Sequence, residues 1–271
     1  MAVSYWREKV ALVTGGSAGF GWALTRALVD AGAMVVVADR DETRLAEAVT
    51  QLRDEGHEAM GTVADVTRPD QVDTLLSGAI QRYGRLDMLV NNVGRSMRGT
   101  VLDTTPEVFR ELLEINFLSM VHCTRAAVPH LIASRGHVVN MGSLAAKSAA
   151  RYLGAYPVSK FAVAAYSQQL RYEIGPQGVH VLLVCPGPMA RADAGRRYDE
   201  QAGNLPAAAR RPGGGVKLKG ISPDHLAAKV LRACEKRNVE LVLPVKARLL
   251  FAILQLWPRL GDWLLLRRVE G

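Results

Sequence analysis

The sequence predicts an α/β protein built as a single domain on a doubly wound parallel sheet, and three observations carry that expectation. Short β-branched runs alternate with longer amphipathic stretches through the first two thirds of the chain, the order that places helices on both faces of a sheet. Most of the runs are apolar at every position, as strands covered on both faces are. A glycine-rich turn follows the first run and opens the first helical stretch.

About seven strands are expected, over residues 10–13, 34–38, 58–63, 86–90, 137–141, 179–184 and 239–243, with helices between them over 21–31, 42–55, 69–83, 106–134, 156–174 and 223–237. After the first strand, Thr14-Gly-Gly-Ser-Ala-Gly-Phe-Gly21 lets backbone approach a pyrophosphate while the helix that follows offers free N–H groups. The plain alternative is an ordinary strand-to-helix connection. The second strand ends at Asp39, where a carboxylate accepts from an adenosine ribose and favours NAD; the neighbouring Arg40 leaves NADP open. Asp65-Val66, after the third strand, stands where an adenine would cross the sheet edge. Residues 190–220, rich in Ala, Arg, Gly and Pro, read as a mobile connection beside the substrate, a lid by position.

Tyr156 and Lys160 are four residues apart and can share one helix face. A tyrosine titrates near ~10, so a phenolate at neutral pH needs a neighbouring cation, which Lys160 can supply. An amphipathic helix with a polar edge would give the same spacing.

The 271 residues and 49% hydrophobic content suffice for one large core. Cys123, Cys185 and Cys234 lack metal or disulfide spacing and read as buried thiols of a cytoplasmic protein. Six scattered histidines give little support to a metal, so none is expected. The first residues carry no secretory pattern. A net charge of +8 is spread along the chain, which argues against a nucleic-acid partner.

Together these motifs resemble, in order and spacing, the short-chain dehydrogenase/reductase family, over nearly the whole chain to about residue 245. The resemblance implies a Rossmann-type fold and a cofactor loop using Gly15, Ser17, Gly19, Phe20 and Gly21, together with Asn92 and Gly94 of Asn91-Asn-Val-Gly94. It implies Asn116 as a helical anchor for a water linking Lys160 to solvent. Ser143, thirteen positions before Tyr156, becomes the hydroxyl that binds the substrate oxygen, and Pro186, Gly187 and Met189 become nicotinamide contacts. Tyr156 would be the general acid or base, with Lys160 lowering its pKa and holding the nicotinamide ribose. Val93, Pro157 and Arg191 depart from the family pattern; a proline in the first helical turn is tolerated.

The activity implied is NAD(P)-dependent interconversion of a hydrophobic secondary alcohol and ketone, by a homodimer or homotetramer. The alternatives are a 3-ketoacyl-type reductase and a catalytically silent dinucleotide sensor or scaffold of the same fold. Residues 246–271 form an apolar extension with Arg248, Gln255, Arg259 and Asp262 on a polar edge and Pro258 positioned to split it. Residues 246–268 could meet a membrane surface, the substrate cleft or a second subunit; the tail resembles, in composition, membrane-associated retinoid and steroid members of the family.

Overall fold

The computed structural model describes residues 4–190, 198–203, 205–210 and 219–270. Seven parallel strands form one sheet in the order β3-β2-β1-β4-β5-β6-β7: β1 Val10–Thr14, β2 Met34–Asp39, β3 Ala59–Val63, β4 Met88–Asn91, β5 His137–Met141, β6 His180–Pro186 and β7 Glu240–Leu243. From β1 the chain winds one way to β2 and β3, then returns to β4 and winds the other way. The crevice at that reversal is where open parallel sheets bind ligands.

Helices α1 Gly19–Asp30, α2 Glu42–Asp54 and α9 Pro223–Glu235 cover one face, meeting the sheet through Leu24, Leu28, Leu52 and Val230. The other face is covered by α3 Pro69–Tyr83, α5 Ser119–Ser134 and α6 Tyr156–Ile174, through Leu75, Leu131 and Leu170. Each such side chain, fully buried, contributes about 1.5–3 kcal/mol of transfer free energy. Cys123, Cys185 and Cys234 are all buried free thiols.

Two expectations are corrected, and a third, the split of the last segment at Pro258, is met. The stretch 106–134 is not one helix: α4 Pro106–Leu113 passes through a π turn at Glu114–Leu118 before α5 begins. The edge strand β3 is not covered on both faces, and Val63 at its end is exposed. The last segment is two helices, α10 Ala247–Leu256 and α11 Pro258–Glu270, because Trp257 leaves helical geometry ahead of Pro258. Within the connection at 190–220, the described residues form two single turns, α7 Asp199–Ala202 and α8 Ala207–Arg210. Arg191 and the other residues of 191–197, 204 and 211–218 in the expected mobile connection lie outside the described residues. No helix among the described residues is long and apolar enough to cross a membrane.

Candidate active site

Parallel strands put their carboxyl ends and the following helix starts on one edge, and the glycine turn joins β1 to α1 there. Gly15 and Gly19 have φ of 61° and 55°, the left-handed backbone that glycine adopts without steric cost. A Cβ built on Gly19 would meet nothing within 4 Å, so this backbone borders open space. On Gly21 it would lie 2.0 Å from the Gly15 carbonyl oxygen, so the turn closes only around glycine. Ala18 caps α1 without a side-chain hydrogen bond, leaving the first N–H groups of the helix available to an anion. Open space beside uncapped donors fits the pyrophosphate of a dinucleotide. Asn92 fastens the turn to β4 by donating Nδ2 to the carbonyls of Thr14 at 3.0 Å and Gly15 at 3.1 Å.

Further along this edge, Ser17 Oγ donates to Asp39 Oδ2 at 2.5 Å, so the carboxylate expected to meet a ribose is already oriented by the glycine turn. Arg40 is exposed and acts on Asp65. Burial pushes the Asp65 carboxyl up, but hydrogen bonds from Thr67 and the charges of Arg40 and Arg68 outweigh it and hold the pKa below its ordinary value. The side chains of Phe20 and Val66 are buried in the core. On the far side, Pro186 ends β6, Gly187 N–H donates to the Leu243 carbonyl at 2.7 Å, and Met189 bridges to Ile221.

Between these flanks stand the polar groups. Ser143, just beyond β5, accepts from Ala145 N–H at 3.1 Å, and its hydroxyl lies near enough to the Tyr156 phenol to lower its pKa. Tyr156 is the first residue of α6, and Pro157 sits in its first turn without breaking it. Lys160, one turn on, donates Nζ to the Met141 carbonyl at 2.7 Å and lies 6.0 Å from the Tyr156 ring centre. Burial brings the Lys160 pKa down to about 8. Burial also raises the Tyr156 phenol, against the effects of the Ser143 hydroxyl and the Arg98 charge, which lower it. Arg98 thus adds a cation near the phenol, while Lys160 stands over the same ring and donates to a backbone carbonyl.

Asn116 sits in the π turn and clamps Arg95 from both sides, Oδ1 accepting from its N–H at 2.6 Å and Nδ2 donating to its carbonyl at 2.9 Å. Nδ2 also donates to Ser159 Oγ at 2.9 Å, which in turn donates to the Tyr156 carbonyl at 2.8 Å. A Cβ on Gly94 would lie 3.1 Å from Asn116 Oδ1 and 3.4 Å from Lys160 Nζ, so the strand-end glycine makes room for both.

Two features escaped the sequence reading. Asn140 donates to Ser167 Oγ and accepts from Asn91, each at 2.9 Å, which pins α6 to β4 and β5 beneath the reactive groups. Its signal was a polar residue inside an apolar strand. Arg98 is buried and spans from its own loop to α8, donating Nε to the Ala209 carbonyl at 2.7 Å and Nη1 to the Met97 carbonyl at 2.8 Å. Its guanidinium carbon lies 3.7 Å from the Tyr198 ring centre. Nothing in the local sequence distinguishes it from the other arginines.

The histidines are not all scattered, either. His137 and His180 are register partners at the amino edge of the sheet, with Cys234 beside them; one potential ligand atom from each of the three falls within 4.8 Å of the others. Their ring nitrogens already run in a hydrogen-bonded chain from Tyr5 to the Asn238 carbonyl.

A phosphate cradle next to a serine hydroxyl, a phenol and an ammonium at one sheet edge defines an oxidoreductase that uses a nicotinamide dinucleotide. Residues 9–202 match the short chain dehydrogenase family, and the chain belongs to it. A protein of the granaticin polyketide synthase of Streptomyces violaceoruber, named as a ketoacyl reductase, is 36% identical over 199 residues, covering 72% of this chain and 73% of its own. L-fucose dehydrogenase of Bos taurus is 40% identical over 183 residues, covering 66% and 65%. A short-chain dehydrogenase/reductase from Burkholderia phymatum, crystallised with NAD, superposes with a TM-score of 0.83 at 26% identity over 96% of each chain.

Proposed function

We propose that the protein interconverts a hydrophobic secondary alcohol and its ketone, with NAD as the preferred carrier. The observation that carries this reading is the grouping of Ser143, Tyr156 and Lys160 on the edge that bears the glycine turn, with Lys160 Nζ 6.0 Å from the tyrosine ring centre and Ser143 acting on the phenol. The dinucleotide, when bound, supplies the hydride chemistry. Tyr156 takes the alcohol proton during oxidation and returns it to the carbonyl oxygen during reduction. Ser143 donates to that oxygen as charge develops on it. Lys160 holds the nicotinamide ribose and supplies positive charge below its own pKa, and Asn116 keeps the Arg95 backbone and the start of α6 in position.

An apolar substrate is supported by the packing of Ala247, Phe251 and Leu144, the neighbour of Ser143, on one apolar cluster. Asp39, oriented by Ser17, supports NAD over its 2'-phosphorylated form. Reduction of a ketoacyl thioester is the second reading, favoured by the relative from Streptomyces violaceoruber. Membership of the family supports a homodimer or homotetramer.

The test is a coupled screen of NAD and NADP against steroid, retinoid and fatty alcohols, ketoacyl thioesters and L-fucose, following absorbance of the reduced cofactor. Turnover of an apolar alcohol or ketone with NAD is expected. Turnover of the sugar alone would overturn the substrate class, and turnover with NADP alone would overturn the role of Asp39.

A further inference from the structure

We propose that α10 and α11 form a hairpin that lies on an anionic lipid surface, at the mouth of the cleft holding Ser143. The hairpin has an inner and an outer side. Inside, Ala247 and Phe251 pack on the cluster of Met120, Ala146, Val163 and Val242, and Gly261 lets α11 approach α10, since a Cβ there would lie 2.6 Å from Leu254. Outside, Leu249 is 70% exposed, Leu256 67%, Trp257 60% and Trp263 47%. Water is a poor solvent for so much apolar area on two adjoining helices, and an exposed patch of this kind marks an interaction surface.

The occupant follows from the charges and aromatics on that side. Among the described residues of the two helices and their start, Lys246, Arg248 and Arg259 are exposed against one exposed carboxylate, Asp262, although Arg248 also donates to the Glu240 carbonyl. Arg259 precedes Trp263 by one helical turn, so a cation and an indole share one stripe. Tryptophan with basic residues around an apolar face is the composition that settles at the boundary of headgroups and acyl chains, where anionic lipid supplies the counter-charge. A second copy joined through this face about a two-fold axis would set the basic group against itself. The chain's own cleft does not take up these side chains, which remain exposed. Among the described residues no helix is long and apolar enough to cross a bilayer, so the hairpin lies on the surface.

The position of the hairpin also joins the surface to the reaction edge. All seven strands are parallel and α10 follows β7, so the hairpin leaves the sheet at the carboxyl edge, the same edge as the glycine turn. Lys147, just after the Ser143 turn, is ion-paired with Glu240 of β7 at 2.5 Å, and Arg248 of α10 donates to the Glu240 carbonyl, so strand, serine loop and hairpin meet at one residue.

The experiment is flotation of the full chain with phosphatidylcholine vesicles, with and without phosphatidylserine, alongside tryptophan emission. Trp6 is buried and Trp22 packs against the core, so a blue shift on adding vesicles reports Trp257 and Trp263. Flotation with the anionic vesicles and a blue shift are expected. Trp257→Ser with Trp263→Ser should weaken binding at least about tenfold. Arg259→Glu should weaken it about fivefold or more on anionic vesicles and little on neutral ones. Circular dichroism and dinucleotide binding should match the parent in every variant. No flotation with either vesicle would overturn the proposal. So would equal flotation of the double variant, or a double variant that loses oligomers on sizing without any change in flotation, which would assign the face to a second copy.

Discussion

The two edges of this sheet each hold a buried titratable pair, and the pairs differ in what their atoms are free to do. At the amino edge the Asn238 carbonyl can only accept, so His180 Nε2 carries a proton and its Nδ1 must accept from His137 Nδ1 at 2.9 Å. His137 Nε2 then accepts from the Tyr5 hydroxyl at 2.7 Å. One acceptor fixes the direction of the whole chain, and every ring nitrogen is committed. At the carboxyl edge, Ser143 and Tyr156 carry hydroxyls that can give or take a proton, and Lys160 has three protons with Met141 as its backbone acceptor. Burial is common to both edges; uncommitted donors and acceptors belong to one. Chemistry resides where hydrogen bonding leaves a choice.

The sharpest way to break this contrast is Tyr156→Phe, which removes the hydroxyl proposed to exchange a proton with substrate. Turnover should fall by about 10²–10⁴-fold with dinucleotide affinity kept. Retained turnover at the parental rate on a confirmed substrate would remove the tyrosine from the mechanism.

Arg98→Met tests whether the electrostatics of the reactive edge come from beyond the helix that carries Tyr156 and Lys160. Arg98 lowers the phenol, so its loss should move the tyrosine limb of the oxidation pH–rate profile to higher pH. A shift of one unit would slow oxidation about tenfold below that limb. Arg98→Lys should restore the profile while leaving amide exchange in residues 198–210 faster, because a lysine lacks the fork that reaches the Ala209 carbonyl. An unchanged profile in the methionine variant would make Arg98 a structural clasp only.

The smallest effect on activity is expected at the amino edge. His137→Phe leaves His180 Nδ1 and the Tyr5 hydroxyl without a partner, and should cost about 1–3 kcal/mol of stability with turnover unchanged. Burial lowers His137 to about 3 from 6.5, so the unfolded chain binds the extra proton across that interval and the parent should lose stability as pH falls through it. Thermal melts along a pH series should show a shallower acid slope in the variant; an identical slope would mean that other groups set it.

The sequence revealed whatever depended on near neighbours. Apolar runs located all seven strands because a strand covered on both faces is apolar along most of its length, and β3, which is partly uncovered, shows where that logic weakens. Ser143, Tyr156 and Lys160 were readable because a strand end and one helical turn fix their separation. The π turn at Asn116 was not, since its extra backbone residue leaves the apolar pattern of 106–134 uninterrupted. Arg98 and the histidine pair were hidden for another reason: strand register and the return of α8 over the cleft bring together residues that no local spacing relates.

The proposed seating of the hairpin beside the serine loop would change the variable that governs the reaction rate. An enzyme seated on a bilayer meets a lipid-dissolved substrate at its density within the sheet of lipid, and searches for it by lateral diffusion in two dimensions. Adding inert lipid at constant total substrate would then slow turnover, although nothing in the aqueous phase had changed.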